Sequence, residues 1–226
     1  MNAHSHSEQF TQPSHLVILG HPDPGSFCAT VADAYCAEIK ALGQHVALRD
    51  LYALGFDPRL AANERSRDAR LAAPADLARD IELLRSADVI TFVYPIWFGM
   101  PPAIIKGYID RVFGASFDAR TIMDVDTHSA LGGKRLMLFT SSASTRPWLE
   151  EKGQWIALRQ AFETYLRNIF GLRDAGHTHF DAIMPGVNRR VVDECLSAVR
   201  ECARAVAAEL LCEKRAHQSR AIRRCV

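Results

Sequence analysis

The chain has 226 residues, 48% of them hydrophobic and 23% charged, with a formal net charge of +1. This is the composition of one globular α/β domain with a substantial core, and its near-neutral balance argues against a nucleic-acid binder. The uncharged block from Val89 to Ile105 is shorter than the roughly 20 residues that span a bilayer, and Pro95, Pro101 and Pro102 interrupt it, so no membrane insertion is expected. The six cysteines form no CxxC pair, which fits a reducing cytoplasm.

In chain order, residues 1–14 (MNAHSHSEQFTQPS) lack the basic and apolar regions of a signal peptide and read as a flexible arm. A single domain is expected over residues 15–212. It opens with a buried strand from His15 to Gly20, followed by a helix from about Ser26 to Leu42 and a second strand from His45 to Leu51. The stretch from Arg59 to Arg85, rich in Ala, Arg, Asp and Leu, reads as mostly helical with a break near Pro74. ADVITFVY is a third strand, Lys134 to Ser141 a fourth and His177 to Ile183 a fifth. A long amphipathic helix from about Asn188 to Cys212 closes the domain, and residues 213–226 form a basic, solvated C-terminal tail.

Strands alternating with helices imply a parallel sheet covered on both faces. The fold class is therefore α/β: a flavodoxin-like three-layer sandwich with a five-stranded parallel sheet of order 2-1-3-4-5. In such a sheet ligands bind at the carboxyl ends of strands 1 and 3, where the winding reverses.

Unusual residues collect at those ends. After strand 1 comes GHPDPGSFCAT, in which Gly20 and Gly25 have Walker-A spacing. Ser26 stands in place of the Lys, and Pro22 and Pro24 remove two amide donors, so a nucleoside-triphosphate cradle is not expected. The amides of Gly25, Ser26, Phe27 and Cys28 form a smaller anion nest in one reading. In the other, Ser26 is simply a helix N-cap. After strand 3, PIWFGM puts large apolar side chains into a connection, where loops normally expose polar groups. A flat apolar ligand with hydrogen-bonding edges explains it, and so does a subunit interface. After strand 4, TSSAST offers either donors to a ligand or an ordinary polar turn. His177, His179 and Asp181 share one strand face by period-2 alternation, but no further ligand pattern supports a metal, and none is expected.

At these residues the sequence resembles the NAD(P)H:quinone oxidoreductase (DT-diaphorase) family of flavoproteins. VILGHPDPGSF, LRDLYALGFDPRL, the run from Ala87 to Phe117 and KRLMLFTSSAS carry the resemblance. It implies a bound flavin, FAD with FMN as the alternative, and NAD(P)H as electron donor. Residues matching His21, Ser26, Phe27 and Cys28 contact the cofactor's phosphate and, where FAD is used, its more distal part. Those matching Pro95, Ile96, Trp97, Phe98 and Gly99 embrace the isoalloxazine, and those matching Thr140, Ser141, Ser142 and Ala143 reach its polar edge. Trp148 and Gln154 match the Tyr and His that assist hydride transfer in the animal enzymes.

The sequence departs from the family where Cys28 replaces an Asn and TSSA replaces Thr-Thr-Gly-Gly. The resemblance implies a two-electron, ping-pong reductase of quinones or related nitro and azo acceptors, active as a homodimer. An alternative from another class is a flavin-binding ancillary subunit of a membrane ion-transport system, docking through the basic tail. A flavodoxin-like electron carrier fits less well, since such carriers are strongly acidic.

Overall fold

The computed structural model describes residues 12–65, 74–115 and 131–224. Five parallel strands form one sheet in the order β2-β1-β3-β4-β5. They are β1 (Ser14–Leu19), β2 (His45–Asp50), β3 (Val89–Pro95), β4 (Arg135–Ser141) and β5 (Arg173–Phe180). The expected topology is observed. β3 and β4 are buried at every position, as central strands covered on both faces must be. β2 and β5 sit at the edges and are half-exposed.

Alternation along the strands divides the core in two. Leu16, Ile18, Phe92, Tyr94 and Leu138 face one side, against α2 (Ala78–Ser86), α3 (Ala103–Tyr108) and α6 (Tyr165–Phe170). Val17, Leu19, Val93, Met137 and Phe139 face the other, against α1 (Phe27–Ala41) and α7 (Arg189–Arg224). Each such aliphatic side chain stabilises the fold by roughly 1.5–3 kcal/mol. A third, smaller cluster joins Ile96 to Leu149, Trp155 and Leu158. It anchors the connection after β3 to α4 (Arg146–Glu151) and α5 (Gln154–Leu158).

Several boundaries differ from the expectation. The stretch from Arg59 to Arg85 is helical over most of its described residues, with Pro74 in a non-helical stretch as expected, but the helix is divided. It holds a short 3-10 turn at Ala62–Arg65 and then α2, which starts only at Ala78. Here polar pins hold the chain: Arg111 is buried against Glu64 at 2.6 Å, Asp76 at 2.8 Å and the Asp57 carbonyl at 2.6 Å. β5 begins at Arg173, four residues before His177, because its pairing with β4 starts at Arg135. It ends at Phe180, where Ala182 turns the chain with a φ of +53°. Four helical segments between Arg146 and Phe170, one of them the π-helical Arg159–Thr164, have no counterpart in the expectation.

The closing helix α7 continues past Cys212 to Arg224, because EKRAHQSRAIRR contains neither Gly nor Pro to stop it. The first residues of the basic tail are used internally. Glu213 accepts from Arg135 and Arg173, and Lys214 meets Asp88 at 2.8 Å. Among the described residues, no helix is long and apolar enough to cross a membrane.

Two buried polar groups make testable demands. Asp80 is 1% exposed and takes two hydrogen bonds from Arg49, at 2.8 and 2.6 Å, and one from the Tyr108 hydroxyl. Asp80→Ala leaves both partners unmatched and is expected to cost about 3–5 kcal/mol in urea denaturation; a loss below about 1 kcal/mol would contradict this role. His15 is buried between the Tyr35 hydroxyl and the Gln44 side chain, and burial lowers its pKa. The unfolded chain therefore binds more protons, and stability should fall as pH drops from about 6.5 toward 5. His15→Gln should flatten part of that slope in denaturation curves recorded at each pH.

Candidate active site

The carboxyl ends of β1, β3 and β4 lie side by side, and their connections build the site. Gly20 ends β1 against α3, where a Cβ would sit 2.5 Å from the Ile105 side chain. The chain then folds around Asp23. The Asp23 amide donates to His21 Nδ1 at 3.0 Å, while Asp23 accepts from the Gly25 amide at 2.8 Å and the Ser26 amide at 3.1 Å. Two of the four amides expected in an anion nest are thus satisfied by the protein. Ser26 Oγ accepts from the Ala29 amide at 3.1 Å and caps α1. What remains is the helix N-terminus itself: among the described residues, no protein acceptor meets the amides of Phe27 and Cys28. The Cys28 thiol is buried beside Ser141 Oγ at 3.4 Å, and burial pushes its pKa up to about 11. It is a packing group between two connections and not a thiolate.

The connection after β3 is a tight hairpin. The Ile96 amide donates to the Ser141 carbonyl at 2.7 Å, extending the β3–β4 ladder. Trp97 and Met100 then exchange both backbone hydrogen bonds at 3.0 Å around Phe98 and Gly99. Those two residues have φ of +49° and +79°, the values of a two-residue turn in which Asn-Gly is the favoured pair. A phenylalanine there is strained, and its side chain is wholly exposed. Trp97, Met100 and Trp148 are also exposed, at 40%, 45% and 49%. Pro95 and Ile96 lie buried beneath. Gln154 stands at the start of α5 and donates through Nε2 to the Gly99 carbonyl at 3.1 Å. A Cβ on Gly99 would lie 2.3 Å from that nitrogen. Gln154 is therefore a strut under the hairpin.

At the end of β4 the side-chain hydroxyls are taken up inside the protein. Thr140 and Ser141 are buried, and both side chains point to internal partners. Thr140 Oγ1 lies 2.8 Å from His177 Nε2 and 2.9 Å from His179 Nδ1. Ser142 Oγ donates to the Ser144 carbonyl at 2.8 Å and lies 3.1 Å from His179 Nε2. The Ser142 amide is taken by the Phe180 carbonyl. Among the described residues, no protein acceptor meets the amides of Ala143, Ser144 and Thr145, so the turn's free donors are backbone amides.

Sequence reasoning missed the groups behind this turn. Glu163 is buried 3.0 Å from His177 Nδ1 and also receives Arg159 at 3.0 Å. Burial opposes its charge, but His177 and Arg159 outweigh that and bring its pKa to about 2. Burial, together with the neighbouring His177, brings His179 down to about 4. Trp155 packs over both imidazoles with ring centroids 5.0 Å away, and Arg146 lies 5.0 Å from the Trp155 ring. The His-x-His spacing was the only signal for this cluster. Asp181 does not join the two histidines; its carboxylate accepts from the Arg146 amide at the start of α4.

The same chain has recognisable relatives. A family model described as flavodoxin-like fold matches residues 13–202. An uncharacterized NAD(P)H oxidoreductase of Haemophilus influenzae is 30% identical over 162 residues, covering 71% of this chain and 80% of its own length. The ribosyldihydronicotinamide dehydrogenase [quinone] of Homo sapiens is 26% identical over 159 residues, covering 61% and 67%. Among solved structures, an NAD(P)H:quinone oxidoreductase from Methanothermobacter marburgensis superposes with a TM-score of 0.73 at 22% identity, covering 87% of this chain and 96% of its own. By the extent of the family match and the order of its sheet, the chain belongs to the flavodoxin-like fold family.

Proposed function

We propose that the protein is a flavin-dependent NAD(P)H oxidoreductase that transfers two electrons to quinones or related nitro and azo acceptors by a ping-pong mechanism. The observation that carries this reading is the grouping of unpaired backbone donors around an exposed apolar wall. Phe27 and Cys28 offer amides after β1, Phe98 and Gly99 after β3, and Ala143 to Thr145 after β4. Of these residues Cys28 is buried and Phe27, Gly99 and Ser144 are half-buried, and donors so placed are rarely left without partners unless a ligand takes them. A flavin has matching parts: a phosphate for the first pair, a flat ring for the hairpin and a polar pyrimidine edge for the last turn. The names of the relatives support the same chemistry.

A bound flavin supplies hydride acceptance from NAD(P)H and hydride donation to the acceptor. The chain supplies placement. The N-terminus of α1 holds negative charge through the Phe27 and Cys28 amides and the helix dipole. Pro95 to Gly99 form the floor of the ring site, held by Gln154. Trp148 forms a wall against which the nicotinamide or the acceptor lies. Gln154, bonded to the Gly99 carbonyl, positions the hairpin and is not a proton donor in this scheme. FAD is the first choice of cofactor and FMN the alternative. The exposed Trp97, Phe98, Met100 and Trp148 also make a homodimer with the site at the interface the expected assembly.

Three measurements test the proposal. Denaturation should release FAD or FMN, identified by chromatography, and NADH or NADPH should bleach the bound flavin without oxygen; protein that binds neither flavin on titration contradicts it. Gly99→Val should displace Gln154 and weaken flavin binding by about tenfold or more, a loss of about 1.4 kcal/mol, whereas unchanged affinity would remove the hairpin from the site. Phe98→Asp should shift the mass in light scattering from dimer to monomer, and a monomeric wild-type protein contradicts the shared site.

A further inference from the structure

The hydrogen bonds behind the 142–145 turn have a fixed direction, which fixes the number of protons they hold. Ser142 Oγ spends its hydrogen on the Ser144 carbonyl, so His179 Nε2 must donate to Ser142 Oγ. At the far end the Glu163 carboxylate accepts only, so His177 Nδ1 must donate to it. Between them Thr140 has one hydrogen and two imidazole neighbours. It donates to one ring and accepts from the other. Three of the four ring nitrogens therefore carry protons, and one of the two histidines is an imidazolium.

The surroundings choose which. His177 touches Glu163 Oε2 at 3.0 Å, an oxygen that Arg159 also reaches at 3.0 Å, while Arg167 lies 3.5 Å from Oε1. His179 is flanked by His177 and by Arg146, with Asp181 the acid near it. The second proton sits on His177, so Thr140 donates to His179 Nδ1. From His177 onward, every hydrogen bond in the chain His177–Thr140–His179–Ser142 then donates toward the turn, while His177 Nδ1 donates the other way, to Glu163. The final one, with the Ala182 amide at 3.1 Å, pulls the Ser144 carbonyl inward. A trans peptide sets its N–H opposite its C=O, so the Thr145 amide is turned away from β5.

We propose that this proton-ordered column, with the imidazolium of His177 as its source, positions the 142–145 turn and gives the carboxyl end of β4 a fixed positive polarity. His177, Thr140 and His179 are then positioning residues for an anionic ligand edge. This role rests on the flavin reading above, in which the reduced cofactor brings negative charge to its pyrimidine edge. Ordered donors in a buried chain polarise one another, and preorganised dipoles stabilise charge as it develops.

The first test needs no flavin. Nitrogen-15 spectra of the histidine rings in the flavin-free protein near pH 7 should show three ring protons: two on His177, and one on His179 at Nε2. Any other distribution overturns the column. The second test is the reduction potential of bound flavin in His177→Gln. Reduced flavin should bind about tenfold more weakly relative to oxidised flavin, which for a two-electron couple is about 30 mV lower. A column that only supported the fold would weaken both states equally, so an unchanged potential overturns the role. Thr140→Val breaks the chain between the rings and carries the same test if His177→Gln does not fold. Wild-type protein that takes up neither FAD nor FMN overturns the flavin reading and this role together, while the ring protons still decide the column itself.

Discussion

The site depends on one backbone hydrogen bond, from the Ile96 amide to the Ser141 carbonyl at 2.7 Å. It prolongs the β3–β4 ladder one step past the regular strands. Beyond it the two chains part: one turns back as the Trp97–Met100 hairpin, the other as the 142–145 turn. That bond holds the starts of the hairpin and the turn side by side at the carboxyl end of the sheet, where ligands bind in sheets of this order. Ile96 also carries the apolar anchor, packing on Leu149, Trp155 and Leu158. This contact adds to the hold of α4 and α5 on the sheet, which Trp155 also makes through His177 and His179, and it steadies Gln154 under the Gly99 carbonyl.

Strain and polarity are placed around that bond. Phe98 holds an unfavourable backbone conformation and an exposed ring, a combination that survives only when the surroundings enforce it. Gln154 and the paired Trp97–Met100 bonds do so here. Behind the turn, Glu163, His177, Thr140, His179 and Ser142 form one chain of hydrogen bonds. Among the described residues, amides without a protein acceptor lie in the connections after β1, β3 and β4, while the Tyr94 hydroxyl and Arg167 Nε are buried without a partner inside the fold. A partnered chain behind a turn whose own amides are free suits a preorganised binding site.

The sheet was legible in the sequence because ADVITFVY and LMLF are apolar on both faces, the mark of central parallel strands. β5 was displaced in the reading because RDAGHTHF is polar: as an edge strand it has one neighbour and needs little apolar surface. The helices between Arg146 and Phe170 went unread because Pro147 and Gly153 interrupt the segment and break its helical pattern. With them went Trp155 and Glu163, whose importance comes from contacts with β5 that no local pattern encodes. The three connections at the carboxyl ends of β1, β3 and β4 were legible as loops. Which of their groups stay free was not, since that depends on Asp23 taking two amides after β1 and on two histidines taking Thr140 after β4.

The central claim is that the amides left free after β1, β3 and β4 together hold one flavin. An amide-resolved NMR titration of the nitrogen-15-labelled protein with FMN, and separately with FAD, tests it most directly. The account predicts saturable one-to-one shifts concentrated at Phe27, Cys28, Phe98, Gly99, Ala143, Ser144 and Thr145. Shifts confined to other parts of the chain, or none with either flavin, would contradict it.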